Sequence, residues 1–424
     1  MPRTVLSALR GYVPTPMLDG WYKLRWTFFP PPFAGYKPTA RRLANLYLNR
    51  IEHRWVRTRL WSRPTKLIIE PVNACNLRCP CCFTGAGGQG RARSVMSMEL
   101  FRLLLDELGD YLFELEAFNW GEPLLSPHIY AMIAEATARG IATKVNTNFS
   151  LPFDAEKAER LITAGLTTLT VSIDGARQPT YEQYRVRGDL DTVLRNCRLV
   201  GAAKRRLGSP TPVFNLEFHV FPHNVDDHDA VRALAAELQM NPLVFKGTVP
   251  GPDWDARGDW RFCVDPRELA CASLWTVATV NNDGGVAPCN GTFYREDDMG
   301  ALAVRGGRLS PSFRELWNGQ RFQAARRFYR RRVGSAGDRQ HVCFDCPATI
   351  IHEKWNRHLA ARGARETFTT GYTTNDCWNY FWNRRPQRGG LHAQHGLRGA
   401  PTPPAPAATQ PDGAEMRRSA ERSR

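Results

Sequence analysis

Three closely spaced cysteines are the side chains of this sequence with the clearest capacity for chemistry. Cys75, Cys79 and Cys82 form a Cys-X3-Cys-X2-Cys pattern, with Cys81 between the last two. Soft sulfur ligands select iron-sulfur clusters, zinc or copper. A four-iron cluster normally takes four cysteines, so three protein ligands would leave one iron open to another molecule.

A structural zinc site that uses Cys81 as its fourth ligand is the alternative. Zinc sites usually bring a second pair of cysteines from elsewhere in the chain. Adjacent Cys81 and Cys82 make poor simultaneous ligands of a tetrahedral ion, which favours the cluster. The cysteines alone leave both kinds of metal centre open.

The composition is that of a soluble globular protein with enough chain for two or three domains. Of the 424 residues, 42% are hydrophobic and 23% are charged, as is typical of this class. No apolar run reaches the roughly 18 residues of a transmembrane helix, and the N-terminus lacks the apolar stretch of a secretory signal. Cysteines at short spacings without an export signal indicate a reducing cytoplasm and metal sites rather than disulfides.

The net charge of +16 lies in the two flanks of the chain. Residues 1–66 carry 13 Lys and Arg against 2 acidic residues, and residues 384–424 carry 8 against 3. The middle is formally neutral, so no nucleic-acid partner is expected. The first flank interleaves its basic residues with aromatic ones, and it either contacts an anionic membrane surface or covers the core; we favour the second.

Short apolar strands alternate with helices along residues 65–245. A further helix is predicted in the first flank over 39–61, with Leu43, Leu46, Tyr47, Leu48 and Ile51 as its apolar face. Six β/α repeats predict a parallel sheet, either doubly wound or curved into a partial barrel. The predicted strands are 66–70, 114–119, 142–146, 168–173, 215–221 and 243–245, and the predicted helices are 98–108, 127–139, 155–164, 189–206 and 227–238.

Polar residues cluster where these strands end. The cysteine loop follows the first strand, residues 119–123 follow the second, and residues 146–148 end the third. Ser172 and Asp174 end the fourth. Because the carboxyl ends of parallel strands meet at one edge of a sheet or barrel, the chemistry is expected to gather there.

These residues resemble the radical S-adenosylmethionine (radical SAM) superfamily. The resemblance rests on the three cysteines after the first strand, the Gly-Glu-Pro turn 121–123 after the second and the Ser-Ile-Asp-Gly segment 172–175 after the fourth. It implies an α/β fold, a partial (β/α)6 TIM-type barrel, in which the cysteines hold a [4Fe-4S] cluster and SAM chelates the fourth iron. Such enzymes cleave SAM reductively to a 5'-deoxyadenosyl radical that abstracts hydrogen from a carbon centre.

The resemblance also implies SAM contacts, although no catalytic side chain is assigned. Glu122 and its turn would lie near the SAM ammonium, and Ser172 would meet the ribose hydroxyls or the methionine carboxylate. Arg185 or Arg187 would neutralise that carboxylate, and Phe83 would pack on the adenine side. The implied SAM-binding residues are Phe83, Gly121, Glu122, Pro123, Asn148, Ser172, Asp174 and Arg185.

Two positions depart from the pattern of the superfamily. Cys81 stands where an aromatic residue usually precedes the third cysteine, and Trp120 stands where a glycine usually opens the Gly-Glu-Pro turn. Both departures concern how SAM is packed.

Four more cysteines form two pairs beyond the barrel. Cys271 and Cys289 stand in a Cys-X12-Gly-X4-Cys pattern, and Cys343 and Cys346 form Cys-X2-Cys. Spacing alone allows zinc or a second cluster. The pattern resembles the SPASM extension of radical SAM enzymes, which implies one auxiliary [4Fe-4S] cluster on these four cysteines.

Cys263, and after it Cys377, are the competitors for a place in that auxiliary set. In some relatives of this type an acidic residue directly after the Gly-X4-Cys cysteine acts as a base. Here that residue is Asn290, which cannot take a proton. The nearby candidates for a replacement are Asp283, Asp297 and Asp298.

The predicted organisation has four parts. A basic aromatic N-terminal extension covers residues 1–64, a radical SAM core 65–250, a SPASM-like auxiliary-cluster domain 251–383 and a disordered tail 384–424. The predicted function is a cytoplasmic, oxidoreductase-like radical SAM enzyme that oxidises or epimerises a small molecule or glycan, supplied with electrons by a flavodoxin or ferredoxin. A peptide or protein maturase, and a zinc-stabilised protein that binds nucleic acid or a membrane surface, are the alternatives.

Overall fold

A nine-stranded sheet forms the centre of the structure, a computed structural model that describes residues 39–80, 82–88, 90–221, 223–246, 271–331 and 342–345. The strand order is β6-β5-β4-β3-β2-β1-β7-β8-β9, and strands β1 to β7 run parallel. The strands are β1 (Lys66–Ile69), β2 (Glu114–Glu116), β3 (Ala142–Thr147), β4 (Thr168–Ser172), β5 (Val213–Val220), β6 (Asn241–Lys246), β7 (Val277–Val280), β8 (Gly285–Ala287), β9 (Gly300–Ala301), and the separate pair β10 (Ala303–Arg305) and β11 (Arg308–Ser310).

Helices connect the parallel strands, as the six β/α repeats predict. The helix over residues 98–108 has the predicted bounds, and the other predicted helices between the strands differ from prediction by at most two residues at either end. The short helix Gln178–Tyr184, which lies between β4 and the long helix Leu190–Leu207, was not predicted. The helices are α1 (Ala40–Arg54), α2 (Met98–Leu108), α3 (Ile129–Ala138), α4 (Ala155–Thr163), α5 (Gln178–Tyr184), α6 (Leu190–Leu207), α7 (His228–Glu237), α8 (Ser273–Thr276), α9 (Phe313–Trp317) and α10 (Gln320–Arg331).

The two faces of the sheet differ in polarity because side chains alternate along each strand. One face belongs to the main hydrophobic core and includes Leu67, Leu115, Val145, Leu169 and Leu216. The opposite face, here called the inner face, is half-buried and polar, which is unusual for a parallel sheet. The inner face presents Lys66, Glu114, Glu116, Lys144, Asn146, Thr170, Asn215, Glu217 and His219.

The C-terminal hairpin continues the barrel sheet. Between Cys271 and Cys289, β7 and β8 form a hairpin and pair antiparallel. In addition β7 lies parallel to β1, with Lys66 opposite Val277 and Ile69 opposite Val280. The carboxyl end of β7 therefore lies beside the start of the cysteine loop, so the C-terminal segment is joined directly to the edge at which the chemistry was predicted.

The predicted apolar face of the N-terminal helix was wrong. α1 ends at Arg54, and its buried side chains are Arg42, Asn45, Asn49 and Glu52. Arg42 donates hydrogen bonds to the carbonyl oxygens of Gly109, Arg139 and Gly140 at 2.7–2.8 Å. Backbone carbonyls at the ends of helices need hydrogen-bond donors, and the Arg42 guanidinium supplies three of them at once. The polar face of α1 is therefore the face that packs against the barrel.

None of the helices in the described residues is both long and apolar enough to cross a membrane.

We predict that Arg42→Ala destabilises the fold while Arg41→Ala does not. Arg42 is buried, and its removal leaves carbonyls of two helix ends without donors, which should lower the free energy of unfolding by about 2–4 kcal/mol. Arg41 is the matched control because its ion pair with Asp110 is exposed, and such pairs contribute about 1 kcal/mol or less. Urea denaturation followed by circular dichroism compares the two. Equal losses would contradict the role given to Arg42.

Candidate functional site

The three predicted cluster cysteines lie together on the loop that leaves β1. Cys79 is buried and Cys75 and Cys82 are half-buried, and none of them is in a disulfide. The loop folds tightly, because the Cys82 N–H donates to the Cys79 carbonyl at 3.1 Å. The Leu77 N–H donates to the Cys75 sulfur at 3.4 Å. Cys81 lies outside the described residues.

The chemistry of these thiols fits an iron-sulfur cluster. Burial raises the pKa of Cys75 and Cys82 to about 11, and it raises the pKa of Cys79 to about 12 against the opposing effect of the Arg185 guanidinium. Thiols of this kind stay protonated at neutral pH unless a metal takes the place of the proton. Across the described part of the chain, no three His, Cys, Asp or Glu side chains are grouped for a single metal ion.

A buried carboxylate fixes the turn after β2 to the start of the cysteine loop. Glu70 Oε1 accepts hydrogen bonds from the N–H groups of Trp120 and Gly121, both at 2.7 Å. A Cβ atom on Gly121 would lie 1.9 Å from the carbonyl oxygen of Val72. Only glycine therefore allows the predicted Gly-Glu-Pro turn to pack this closely on the backbone of the loop.

The carboxylate of Glu122 binds groups of the protein itself. It accepts hydrogen bonds from Thr147 Oγ1 at 2.7 Å, from the Asn148 N–H at 2.8 Å and from the Leu124 N–H at 3.1 Å. Burial raises its pKa to about 7. These contacts join the end of β2 to the end of β3, and direct contact of this carboxylate with a SAM ammonium stays a prediction. Pro123 is buried and begins a single 3-10 turn.

Asn148 lies against the first cysteine. Its Nδ2 is 3.6 Å from the Cys75 sulfur and donates to Asn76 Oδ1 at 3.0 Å. Its Oδ1 accepts from the Ser150 N–H at 2.9 Å. The amide is thus held in one orientation beside the cysteine loop, which brings the end of β3 to the candidate cluster site.

Asp174, at the end of β4, pairs with Arg185 and His219. Arg185 Nε donates to Asp174 Oδ2 at 2.6 Å, and the His219 N–H donates to Asp174 Oδ1 at 2.7 Å. Burial opposes ionisation of Asp174, but Arg185 and His219 outweigh it and lower its pKa to about 2. Of the two arginines proposed from the sequence, Arg185 thus lies inside the site, whereas Arg187 is exposed.

Ser172 belongs to a hydrogen-bonded group on the inner face. Its hydroxyl lies 3.1 Å from Glu217 Oε2 and 3.1 Å from Asn146 Oδ1, and Asn146 Nδ2 donates to Glu217 Oε2 at 2.7 Å. The three residues come from neighbouring strands β3, β4 and β5. The group therefore places a carboxylate where the sequence suggested only a serine.

Phe83 lies in a small aromatic cluster separate from the main core. Its ring stacks on Phe293 with centroids 5.0 Å apart and meets Trp120 edge-on at 5.3 Å. Trp120 Nε1 donates to the Thr292 carbonyl at 2.9 Å. Trp120, the departure from the usual glycine, thus connects the turn after β2 with the segment after Cys289. Packing of Phe83 on adenine stays a prediction.

The described C-terminal cysteines are distributed around the hairpin. Cys271 precedes α8, Cys289 follows β8, and Cys343 lies in a 3-10 turn against the core. Gly284, between the first two, has φ +85°, and a Cβ there would lie 2.2 Å from the Leu302 carbonyl. The glycine of the Cys-X12-Gly-X4-Cys pattern is therefore required by the hairpin turn. Outside the described residues lie Cys346, Cys263 and Cys377.

An ion cluster joins the C-terminal segment to the barrel. Arg91 donates to Asp298 at 3.0 and 3.1 Å and to Asp283 at 2.8 Å. Burial raises the pKa of Asp298 to about 6 against the effect of Arg91. Two of the three carboxylates considered as replacements for a base after Cys289 are therefore held by Arg91, and the third, Asp297, is buried.

Comparison with protein families identifies both halves of this arrangement. Residues 69–233 match the radical SAM superfamily. Residues 271–347 match SPASM, described as an iron-sulfur cluster-binding domain. The chain carries a radical SAM domain followed by a SPASM domain. The first domain implies a [4Fe-4S] cluster and SAM, and the second implies auxiliary iron-sulfur clusters.

Curated relatives of this radical SAM enzyme match it over part of their length. Fe-coproporphyrin III synthase of Methanosarcina barkeri is 29% identical over 175 residues, 40% of this chain and 41% of that protein. Mycofactocin maturase MftC of Mycobacterium ulcerans is 26% identical over 242 residues, 54% of this chain and 63% of that protein. Each match spans less than two thirds of the relative.

Solved structures give a weaker likeness. SuiB of Streptococcus suis bound to its precursor peptide SuiA superposes with a TM-score of 0.46 at 11% identity, covering 72% of this chain and 79% of that one.

Several residues of the candidate site were not found from the sequence. Glu70 directly precedes the cysteine loop, so its place at a strand end was a usable signal. Glu217 and His219 lie two residues apart on β5, and polar residues alternating with Phe and Leu indicated an inner face. Arg91 gave no local signal, because its partners lie about 200 positions away in sequence.

We predict that Glu70 makes stability depend on pH. Burial raises its folded-state pKa to about 7 from the ordinary value of 4.5, so the folded protein holds this proton more tightly than the unfolded chain does. The stabilisation by protonation is complete below about pH 4.5 and is lost as the pH rises through about 7. Relative to Glu70→Gln, which keeps an acceptor oxygen without the charge, the wild type should become less stable over this range.

Urea unfolding of both proteins at about pH 5.5 and about pH 8 measures this difference. Glu70→Ala is the companion variant, because it leaves the Trp120 and Gly121 N–H groups without an acceptor and should be destabilised by about 2 kcal/mol or more at either pH. Parallel pH profiles for wild type and Glu70→Gln would rule out titration of this carboxylate.

Proposed function

We propose that this enzyme cleaves SAM reductively at a [4Fe-4S] cluster held by Cys75, Cys79 and Cys82, and abstracts hydrogen from a carbon of a small molecule or glycan, with oxidation or epimerisation as the outcome. The observation that carries the proposal is that one buried and two half-buried thiols share the loop that leaves β1 and lie against Asn148, at the end of β3, and Arg185. When bound, the cluster and SAM supply an electron and the 5'-deoxyadenosyl radical.

Charge on the inner face supports one orientation for SAM. Glu217 lies 3.1 Å from the Ser172 hydroxyl, so a methionine carboxylate placed at Ser172 would meet a negative charge. Ribose hydroxyls can instead donate to that carboxylate. Arg185, paired with Asp174 and close to Cys79, suits the methionine carboxylate. We therefore assign the ribose to the Ser172 side and the carboxylate to the Arg185 side.

We further propose that Cys271, Cys289, Cys343 and Cys346 hold one auxiliary [4Fe-4S] cluster. Such a centre suits acceptance of the electron left on a substrate radical. A reduced flavodoxin or ferredoxin is the expected donor to the SAM-binding cluster. Thiolate ligands require a reducing compartment, for which we infer the cytoplasm.

A polar substrate is supported by the side chains of the inner face. Lys144 lies 2.6 Å from Glu114, and Lys66 lies 2.6 Å from Glu116. A charged layer thus lies below the Asn146, Ser172 and Glu217 group. An apolar substrate would strip these groups of water without replacing the hydrogen bonds, whereas hydroxyl groups of a sugar or polyol can replace them. This favours the small-molecule or glycan class.

A peptide maturase is the second candidate, favoured by the 54% of this chain that matches mycofactocin maturase. Reconstituted enzyme can be incubated with host cell extract, and fractions that stimulate 5'-deoxyadenosine release can be treated with protease or with periodate. Periodate sensitivity with protease resistance supports a glycan or polyol. Protease sensitivity with periodate resistance identifies the substrate as a peptide. That result overturns the substrate proposal and leaves the proposed cleavage of SAM unaffected.

We predict that the cysteines of the SAM-binding cluster and those of the auxiliary cluster differ in function. Cys79→Ala should abolish 5'-deoxyadenosine formation, because a buried ligand of the SAM-binding cluster is lost. Cys289→Ala should keep at least part of this cleavage while stopping product formation. Cys197→Ala is the control, since Cys197 is buried in α6 within the core and should leave the iron content unchanged.

The measurements for these variants are an iron count and a 5'-deoxyadenosine assay after anaerobic reduction. Two four-iron clusters would give about eight irons per chain in the wild type, with loss in Cys79→Ala and Cys289→Ala only. Full cleavage of SAM by Cys79→Ala would refute the ligand assignment.

We predict that Glu217→Ala weakens SAM binding. Loss of a charged hydrogen-bond acceptor for ribose should raise the Kd by roughly tenfold to a hundredfold. Asn215→Ala is the matched control, two residues away on the same face of β5 and nearer the amino end of the strand. Equilibrium binding of SAM to the reconstituted enzyme tests both variants. An unchanged Kd for Glu217→Ala would argue against the ribose assignment.

A further inference from the structure

We propose that the end of α1 and the segment after it, residues 51–61, dock on an anionic lipid bilayer. This surface is called here the docking segment. Its large apolar side chains are unusually exposed: Ile51 is 57% exposed, Trp55 71% and Trp61 73%. Tryptophan is enriched at membrane interfaces, because its apolar ring can insert among the lipids while its N–H donates a hydrogen bond to water or a head group.

The packing of α1 explains why these side chains face outward. Its polar face lies against the barrel through Arg42, Asn45, Asn49 and Glu52. The Glu52 carboxylate accepts from the N–H groups of Trp61 at 2.7 Å and Ser62 at 3.1 Å. This contact holds the chain after the helix, including the backbone of Trp61, against the last turn of α1.

The backbone of the docking segment is also fixed from within. Trp275 Nε1 donates to the Arg57 carbonyl at 3.0 Å, and Arg326 Nη1 donates to the Thr58 carbonyl at 3.2 Å. Arg326 is itself buried and donates to the carbonyls of Leu274 and Trp317. The exposed tryptophans therefore project from an ordered surface, and little conformational entropy is lost when they insert.

The charge of the docking segment identifies the partner as anionic. Arg54, Arg57 and Arg59 are exposed, and no ion pair is formed by them among the residues that the structure describes. From residue 53 to residue 65 the sequence has no acidic side chain. Exposed Trp and Ile side chains between arginines match a bilayer of anionic lipids, because apolar groups insert while basic groups meet the head groups.

The place of α1 in the fold leaves the candidate site accessible. Arg42 binds carbonyls that follow α2 and α3 and precede β2 and β3, so α1 lies at the amino ends of the strands. The cysteine loop and the polar strand ends lie at the carboxyl ends. A bilayer bound at α1 would therefore contact the side of the barrel opposite the chemistry.

Vesicle cosedimentation of the reconstituted enzyme with all 424 residues tests the proposal. We expect binding to phosphatidylcholine vesicles that contain about one third phosphatidylglycerol, weakening with salt, and little binding to phosphatidylcholine alone. The double variant Trp55→Ala/Trp61→Ala should lower the partition coefficient by at least about tenfold. Replacement of Arg54, Arg57 and Arg59 by glutamine should remove the preference for anionic vesicles.

Leu207→Ala is the matched control, because Leu207 is 40% exposed and adjoins Arg205 and Arg206 on a different helix. It should bind vesicles like the wild type. Unchanged 5'-deoxyadenosine formation by the tryptophan variant would show that the fold is intact. Equal vesicle binding by the tryptophan variant, or equal binding to uncharged vesicles, overturns the proposal.

The same binding experiments distinguish two other possible occupants of the docking segment. If residues 1–38 cover the docking segment, the 424-residue protein binds no vesicles, and a variant without those residues does bind them. If nucleic acid binds the docking segment, the enzyme binds single-stranded RNA but not vesicles, and the RNA binding is lost when Trp55 and Trp61 are replaced. Either result overturns the proposal.

Discussion

The hydrogen bonds of Glu70 are the contact on which the candidate site depends. Glu70 directly follows the first strand, and its buried carboxylate accepts hydrogen bonds from the Trp120 and Gly121 N–H groups. Neither partner is stable alone: a buried carboxylate without donors and buried amides without an acceptor are both costly. The cysteine loop and the turn after β2 are therefore positioned together. Glu122 then extends the same unit to Thr147 and Asn148 on β3.

The SPASM segment depends on this unit because it is attached to the same strand. β7 pairs with β1, so its turn reaches the edge where Glu70 lies. Arg91, which follows the cysteine loop, pairs with Asp283 and Asp298 of the C-terminal segment. Breaking one partner of a buried pair is strongly destabilising, so these charges hold the segment that bears Cys289 at a fixed place. These contacts therefore join the segment that bears Cys289 to the part of the barrel that bears Cys75, Cys79 and Cys82.

Local patterns in the sequence predicted the parallel sheet, the helices between its strands and the polar strand ends. They succeeded because periodicity and turn residues are encoded locally, as in the helix Met98–Leu108. They failed for α1, whose apolar residues suggested the buried face. The deciding contacts of Arg42 are with carbonyls about 70 and 100 residues away, and no local pattern reports them. The pairing of β7 with β1 is equally non-local. The seven-residue helix Gln178–Tyr184 was too short for its periodicity to be recognised.

The polarity of the inner face and the placement of α1 together constrain the route of the substrate. Lys66, Lys144 and their glutamate partners line the inner face, while α1 covers the amino ends of the strands. If α1 lies on a bilayer as we propose, the carboxyl ends of the strands face away from the lipid. A substrate would then arrive from water at a polar surface. An enzyme attached in this way is suited to a water-soluble substrate, or to the polar part of a membrane-anchored glycan that extends well beyond the head groups. It is not suited to a lipid chain within the bilayer.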